Sequence, residues 1–293
     1  MVIVRAPATV PNLGSGFDVF GIALSHPADV IHVEPAEETT ITVTGAGSQY
    51  IPVNPKKNTA GVVAEALDAP ATITIDKGIR PASGLGSSAA SAAGAAVALN
   101  ALYDKGFSKE ELVWMAAKGE EAASGEAHAD NVAPAILGGF TIVSQDRITN
   151  IDAHLEVVVC LPELTISTRN AREVLPKSLD LGSHVHTVGS AATLTAGMLK
   201  SNPELVGHGL ADSVVTPART QLIKGYESVQ AAAIESGAVG VTVSGSGPTI
   251  LAIPKKGKSR PVASAMVDAF FSQGIQSTSY QTRIGGGVEL YLD

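Results

Sequence analysis

The chain is almost without cysteine. Cys160 is the one thiol among 293 residues, so no disulfide can form within the chain. It lies in the apolar run Glu156-Val-Val-Val-Cys-Leu161, the pattern of a buried strand and not of a reactive or metal-ligating site. Basic residues are also scarce: 20 Lys and Arg against 28 Asp and Glu leave a formal net charge of −8. A general nucleic-acid binder is thereby excluded, because counterion release needs clustered cations. Any anion site must be local. Long apolar runs are missing too, and Met1-Val-Ile-Val-Arg5 shows no signal-peptide pattern. The expectation is a soluble cytoplasmic protein with no membrane partner.

The common nucleotide and metal motifs are absent as well. Gly257-Lys-Ser259 resembles the end of a P-loop, but the first glycine that loop requires is replaced by Ala252. No dinucleotide fingerprint occurs. His184 and His186 have the i, i+2 spacing of one strand face, yet no cysteine or carboxylate partners them, so zinc is not expected. No internal repeat stands out.

What remains is 45% hydrophobic, enough to build the core of one large domain or of two ordinary ones. Residues 2–6 read as a strand, followed by a loop over 7–18. Strand patterns follow near 19–24, 29–34 and 39–44, the last being the alternating Thr39-Thr-Ile-Thr-Val-Thr44. A helix over 58–67 is capped by Asn58, and 71–75 returns as a strand. Helices are predicted from Ser87 to about Tyr103 and from Ser108, where Glu111 completes a capping box. Trp114 on the second is a packing residue. The composition restarts near 150–155, which divides the chain into units 1–153 and 154–293. In the second unit, a strand over 155–161 precedes helices at 187–200, 203–213 and 218–235. Strands at 240–244 and 249–253, a helix at 259–273 and terminal strands complete it. Alternating strands and helices make the fold class α+β.

Four stretches carry candidate chemistry. Arg80-Pro-Ala-Ser-Gly-Leu-Gly-Ser-Ser-Ala-Ala-Ser91 joins a glycine-rich turn to an alanine-rich helix. Gly84 and Gly86 permit tight backbone angles and close ligand approach, Ser87 and Ser88 can cap the helix, and orphan amides there favour a phosphate. An ordinary capped helix is the plain alternative. Pro11-Asn-Leu-Gly-Ser-Gly-Phe-Asp18 can bend round a small ligand with Asn12 and Asp18 as polar contacts, or be a simple turn. In Gly125-Glu-Ala-His-Ala-Asp-Asn-Val-Ala-Pro134, Asp130 and Asn131 are either ligands or a helix cap, and His128 reads as a structural hydrogen bonder. The fourth is the glycine turn Ser244-Gly-Ser-Gly-Pro-Thr249.

In this order, the four stretches resemble the GHMP kinase superfamily over essentially the whole chain. The segments at 12–18 and 128–134 are similar to the branch that phosphorylates the side-chain hydroxyl of L-homoserine, a step of threonine biosynthesis. That resemblance implies an N-terminal domain like ribosomal protein S5 domain 2 that binds ATP, a ferredoxin-like C-terminal domain, and a site between them. Asn58 would lie on the adenine side, and Pro81, Ala82, Ser83, Gly84, Leu85, Gly86, Ser87 and Ser88 would hold the phosphates. Ser88 and Glu120 would hold Mg2+. Asn12, Asp18, Asp130, Asn131, Arg172 and Arg219 would surround the amino acid, with Asp130 and Arg172 closest to the chemistry. Read without the resemblance, Arg172 and Arg219 are surface charges on helices. Pro11 and Ser15 depart from the residues usual in the family. A kinase of the mevalonate or shikimate type, or a nucleotide-binding sensor without catalysis, remains as an alternative, and monomer and homodimer are both open.

Overall fold

The computed structural model describes residues 1–125 and 127–292. Two mixed layers stand side by side, each with its own antiparallel-rich sheet and covering helices. The first begins with β1 (Val2–Pro11) and β2 (Phe20–Pro35), long antiparallel strands joined by the loop 12–19. β1 continues past the expected 2–6 and β2 joins two segments expected to be separate. A register shift between Pro7 and Thr9 lets the pairing resume with Ala23 beyond the irregularity. β3 (Thr40–Gly45) lies parallel to β4 (Ala71–Lys77), the two being connected through α1 (Thr59–Ala66). α2 (Ser87–Leu102), α3 (Lys109–Ser124) and α4 (Ala129–Leu137) follow, then the hairpin β5 (Phe140–Ser144) and β6 (Arg147–Ile151).

The second layer comprises β7 (Glu156–Pro162), α5 (Thr168–Glu173), α6 (Leu181–Leu199), α7 (Pro203–Gly209), α8 (Val215–Thr220), α9 (Tyr226–Glu235), β8 (Ala238–Val243), β9 (Ile250–Pro254), α10 (Ser259–Ser272) and β10 (Ser277–Arg283). Its sheet runs β10-β7-β9-β8, so counted within the layer the order is fourth, first, third, second, the ferredoxin-like arrangement. The last strand, β11 (Glu289–Leu292), crosses back and pairs with β1, giving the first sheet the order β11-β1-β2-β4-β3 with β5 and β6 attached to β2. The C-terminal segment thus contributes to the sheet of the first unit. β11 reaches only Val2 to Arg5, so Pro7 sits where that side of β1 is open and its missing N–H costs no ladder bond.

Local chemistry explains most boundaries. Asn58 caps α1 by accepting from the Ala60 amide, and Ser108 with Glu111 forms the expected capping box of α3. The helix expected at 218–235 is broken in two because Gly225, at φ 87°, turns the chain before α9. α6 starts at Leu181, earlier than expected, because Asp180 accepts from the Ser183 amide as its cap. His184 and His186 consequently lie on a helix and diverge by about 200°, and among the described residues no three or more His, Cys, Asp and Glu side chains gather as a metal site would need. Cys160 is buried on β7, and Trp114 packs partly buried against the core, as expected. Gly257 and Lys258 stand on an exposed connection, not in a phosphate loop.

The core of the first layer depends on small residues. α2 presents alanines to β1 and β2, and a Cβ at Gly94 would come within 2.1 Å of Ile31 Cδ1. The alternation Ile73, Ile75, Lys77 places a lysine in line with two buried isoleucines. Lys77 meets Asp29 of β2 in an ion pair, both side chains being fully buried. Its ammonium also donates to the Ser87 carbonyl at 2.7 Å and to Ser91 Oγ at 2.9 Å, while Asp29 accepts from the Gly78 and Ile79 amides. Burial raises the pKa of Asp29 and lowers that of Lys77, opposed in each case by the partner. The pair ties the end of β4 to the first turn of α2. Lys77→Met should therefore destabilise the fold by about 3–5 kcal/mol, the cost of stranding a buried charge, and adding Asp29→Leu should recover part of it. Urea unfolding of the two variants measures this; equal stability of Lys77→Met and the parent would mean that the pair holds nothing.

Candidate active site

Between the layers lies a cleft of about 390 Å3. One wall is the turn 81–86, in which Ala82, Gly84 and Gly86 all have positive φ. Three consecutive carbonyls of this turn point back into the protein. The Ser83 carbonyl accepts from the Thr249 amide (3.2 Å), that of Gly84 from Ser244 Oγ (2.6 Å), and that of Leu85 from the Thr9 amide (3.1 Å). The C-terminal glycine turn is held in the same way, through the Gly245 amide on the Pro11 carbonyl at 3.2 Å. Three distant stretches thereby close on one another.

The glycines answer to this closure more than to ligand approach. A Cβ at Gly84 would lie 2.4 Å from the Ser244 carbonyl oxygen, and one at Gly86 would lie 2.0 Å from Thr9 Oγ1. Nor do the serines cap α2, as the sequence suggests. Gly86 stands at the N-cap without a side-chain bond, Ser87 donates to the Ile79 carbonyl at 2.8 Å, and Ser88 donates to Glu120 Oε2 at 3.1 Å. The first-turn amides of α2, which no helical carbonyl can take, are left at the cleft with the positive end of the helix dipole. An anion fits there.

Next to that helix end, α3 brings Glu120, 4% exposed, against Ser88. Burial lifts the Glu120 pKa to about 7; the Ser88 hydrogen bond and Lys77 oppose this, and Asp130 adds to it. A hydroxyl and a carboxylate side by side make a hard-oxygen donor pair of the kind magnesium takes, and a cation there would offset the cost of burying the carboxylate.

The opposite end of the cleft is built on the loop 12–19. Asn12, Leu13 and Asp18 adopt positive φ, and Asn12 Oδ1 accepts from the Asp18 amide at 3.0 Å, so Asn12 shapes the loop. Ser15 Oγ donates to the Gly209 carbonyl at 2.7 Å and anchors the loop to α7. Asp18 Oδ2 receives Arg172 Nη1 at 2.7 Å. Arg172 and Arg219 lie over the Phe17 ring at 5.1 and 5.0 Å. Arg219 is buried and donates to the Ala171 and Gly245 carbonyls; burial lowers its pKa to about 10, which leaves it charged at neutral pH. Asp130, in the first turn of α4, is 3% exposed, and its pKa rises to about 7 through burial and the nearby Asp18. Asn131 Nδ2 donates to Asp130 Oδ1 at 3.2 Å.

The cleft is lined by every residue predicted for the site except Leu85, whose side chain is buried in the core. Asn58 lines it with both polar ends engaged, Oδ1 as the α1 cap and Nδ2 on the Pro52 carbonyl. The structure adds Tyr50, Ile51, Pro52, Lys57, Lys77, His128 and Thr168. Lys77 was legible as a lysine at a core register of β4. The others sit on irregular segments or at the very ends of elements, Thr168 at the start of α5 and His128 just before α4, where no periodicity marks them. Glu126, within the candidate stretch 125–134, lies outside the described residues.

Residues 55–139 match the GHMP kinases N terminal domain and residues 194–273 match the GHMP kinases C terminal domain. The chain is 60% identical over 291 residues to a homoserine kinase of Haloarcula marismortui, covering 99% of this chain and 100% of the relative. It is 63% identical over 287 residues to one of Halorubrum lacusprofundi, covering 98% of each. The crystal structure of homoserine kinase from Cytophaga hutchinsonii superposes with a TM-score of 0.91 at 33% identity, over 99% of this chain and 97% of that one. A mevalonate kinase from L. major, 15% identical with a TM-score of 0.74 over 96% of this chain and 95% of that one, shares the fold. This chain belongs to the GHMP kinase family.

Proposed function

We propose that the chain transfers the γ-phosphoryl group of ATP to the side-chain hydroxyl of L-homoserine, giving O-phospho-L-homoserine for threonine biosynthesis in the cytoplasm. The observation that carries this reading is the mixed charge at the loop 12–19 end of the cleft, where Asp18 and Asp130 stand with Arg172 and Arg219. Carboxylates and guanidiniums together suit a zwitterion. A hydroxy acid without an ammonium group, such as mevalonate, would bring no cation of its own to Asp130, whose burial the nearby Arg172 offsets only in part. The 60% identity to a homoserine kinase over the full chain supports the same substrate.

Phosphoryl transfer needs alignment and neutralised charge more than covalent participation by the protein. The α2 amides and the turn 81–86 would hold the triphosphate, with Asn58 fixing the wall on the adenine side. Ser88 and Glu120 would hold Mg2+, which when bound neutralises phosphate charge. Asp130, supported by Asn131, would pair the ammonium group. Asp18 and Asn12 would position Arg172, and Arg172 and Arg219 would hold the carboxylate or the transferred phosphate. A carboxylate with a pKa near 7 also has the right affinity to take the hydroxyl proton, so Asp130 is the candidate base as well.

Glu120→Gln should lower kcat/KM for magnesium-ATP by about tenfold to a hundredfold, the equivalent of one charge-assisted hydrogen bond or metal contact, with the fold intact by circular dichroism. Unchanged kinetics would remove Glu120 from the metal site. Asp130→Asn separates the roles of that residue. If it pairs the ammonium, kcat/KM for homoserine falls about tenfold or more while KM for ATP holds. A base would show instead as a loss of kcat at saturating homoserine, and parent-like values would mean that Asp130 does not touch substrate.

The pH profile follows from the same two carboxyls. Both have pKa values raised to about 7, and each is neutral below that value and ionised above it. Cation binding requires the ionised forms. In the free enzyme, kcat/KM should therefore rise with pH through about 7, and the limb seen in kcat should move to lower pH because bound cations favour ionisation. Initial rates between pH 5.5 and 9 (roughly the range spanning such a limb) decide it. A flat kcat/KM through pH 7 would contradict the assignment.

A further inference from the structure

Phe17 is an aromatic residue that the cores do not use. Its ring is half-buried, yet it belongs to neither apolar cluster of the described residues and does not line the cleft. Its neighbours are charged instead: the Arg172 and Arg219 Cζ atoms stand 5.1 and 5.0 Å from the ring centroid, within reach of a cation–π contact. The turn that carries the ring is closely packed. The Gly16 carbonyl accepts from the Val19 and Phe20 amides at 2.9 and 2.8 Å, and Ser15, 5% exposed, is tied to the Gly209 carbonyl. A Cβ at Gly16 would fall 2.1 Å from the Phe20 ring.

The two arginines are held unequally. Arg219 is buried and fixed by two backbone carbonyls. The Arg172 side chain is 31% exposed and that of its partner Asp18 is 41% exposed, and an ion pair so open to water holds a long side chain weakly. The guanidiniums also repel each other: burial lowers the Arg219 pKa, Asp18 opposes this, and Arg172 adds to it. We infer that Phe17 is a positioning residue for the proposed reaction, its ring keeping Arg172 beside Arg219 so that one anion meets both guanidiniums. The inference rests on the reading of these arginines as the groups that hold the substrate carboxylate or the transferred phosphate. An aromatic face attracts a guanidinium without cancelling its charge, as a carboxylate in that place would. Two like charges held together in this way favour an anion between them over water.

Phe17→Leu keeps an apolar side chain and removes the ring. It should lower kcat/KM for homoserine about threefold to thirtyfold, the equivalent of one cation–π contact, while KM for ATP holds. Phe17→Tyr keeps the ring and should behave as the parent does. Should Phe17→Leu fail to fold by circular dichroism, Phe17→Met repeats the comparison. A double-mutant cycle locates the effect: with the ring acting through Arg172, Phe17→Leu/Arg172→Ala is no slower than Arg172→Ala alone. An NMR readout stands apart from the substrate. The Arg172 Nε–Hε signal, identified by its loss in Arg172→Ala, should carry a ring-current displacement in the parent and in Phe17→Tyr and lose it in Phe17→Leu. Parent-like kinetics in Phe17→Leu, equal losses in the leucine and tyrosine variants, or losses that add in the cycle each overturn the inference. A parent that forms no ADP in response to homoserine would sink the homoserine reading instead, and the NMR comparison would still decide whether the ring places Arg172.

Discussion

The site rests on the direction in which one short piece of backbone faces. In the turn 81–86 the Ser83, Gly84 and Leu85 carbonyls are each taken by a donor from elsewhere in the chain, Thr249, Ser244 and Thr9. With the carbonyls turned inward, the amide-rich side of the turn and the open end of α2 face the cleft. A phosphate meets donors there and not acceptors. The positive φ at Gly84 and Gly86 and the absence of a Cβ at each make that orientation possible. The C-terminal glycine turn, remote in sequence, is in this sense part of the same wall.

Electrostatics then divides the cleft. The chain is acidic overall, so the positive groups along the cleft are few and come one by one: Lys57, Arg172, Arg219 and the dipole of α2. Phe17 gives both guanidiniums a shared flat face, which orders them without neutralising them. The buried carboxyls Glu120 and Asp130 are held near their titration point in the free protein. Each gains by meeting a cation, so the energy stored in burying them favours the ligands over water. Below this surface the Lys77–Asp29 pair is also buried at a cost, but its two charges offset each other and both partners have several hydrogen bonds.

Much of this was legible in the sequence, and the failures have physical causes. The alternation of β3, the Asn58 and Ser108 caps, and the glycine-serine turn are local signals, and local structure obeys them. The roles of Ser87 and Ser88 were misread because a serine at a helix start is a cap by statistics. Here tertiary partners, the Ile79 carbonyl and Glu120, take the hydroxyls instead. The glycines were assigned to ligand approach because nothing in the sequence shows that Thr9 and Ser244 press against them. Lys57 lines the cleft from a single 3-10 turn and Thr168 from the first position of the short α5, a placement that only the packing of the two layers decides. The burial of Arg219, read as a surface charge from its helix alone, likewise depends on Gly245 arriving from another element.

The pairing of the first strand with the last has a consequence for how the protein can be divided. A chain ended at residue 153 would keep the glycine-serine turn and α2, and would look like a self-sufficient nucleotide domain. It would lack β11, so Val2 to Arg5 of β1 would present a bare edge open to other strands. It would also lack Thr249 and Ser244, so the Ser83 and Gly84 carbonyls would be free to swing toward the cleft. Evolution could shuffle this half into another protein only together with a replacement for both. The two layers share a continuous buried cluster and are a single inheritable unit, and the carbonyls of the turn 81–86 can all be turned inward on the growing chain only once Thr249 has been made.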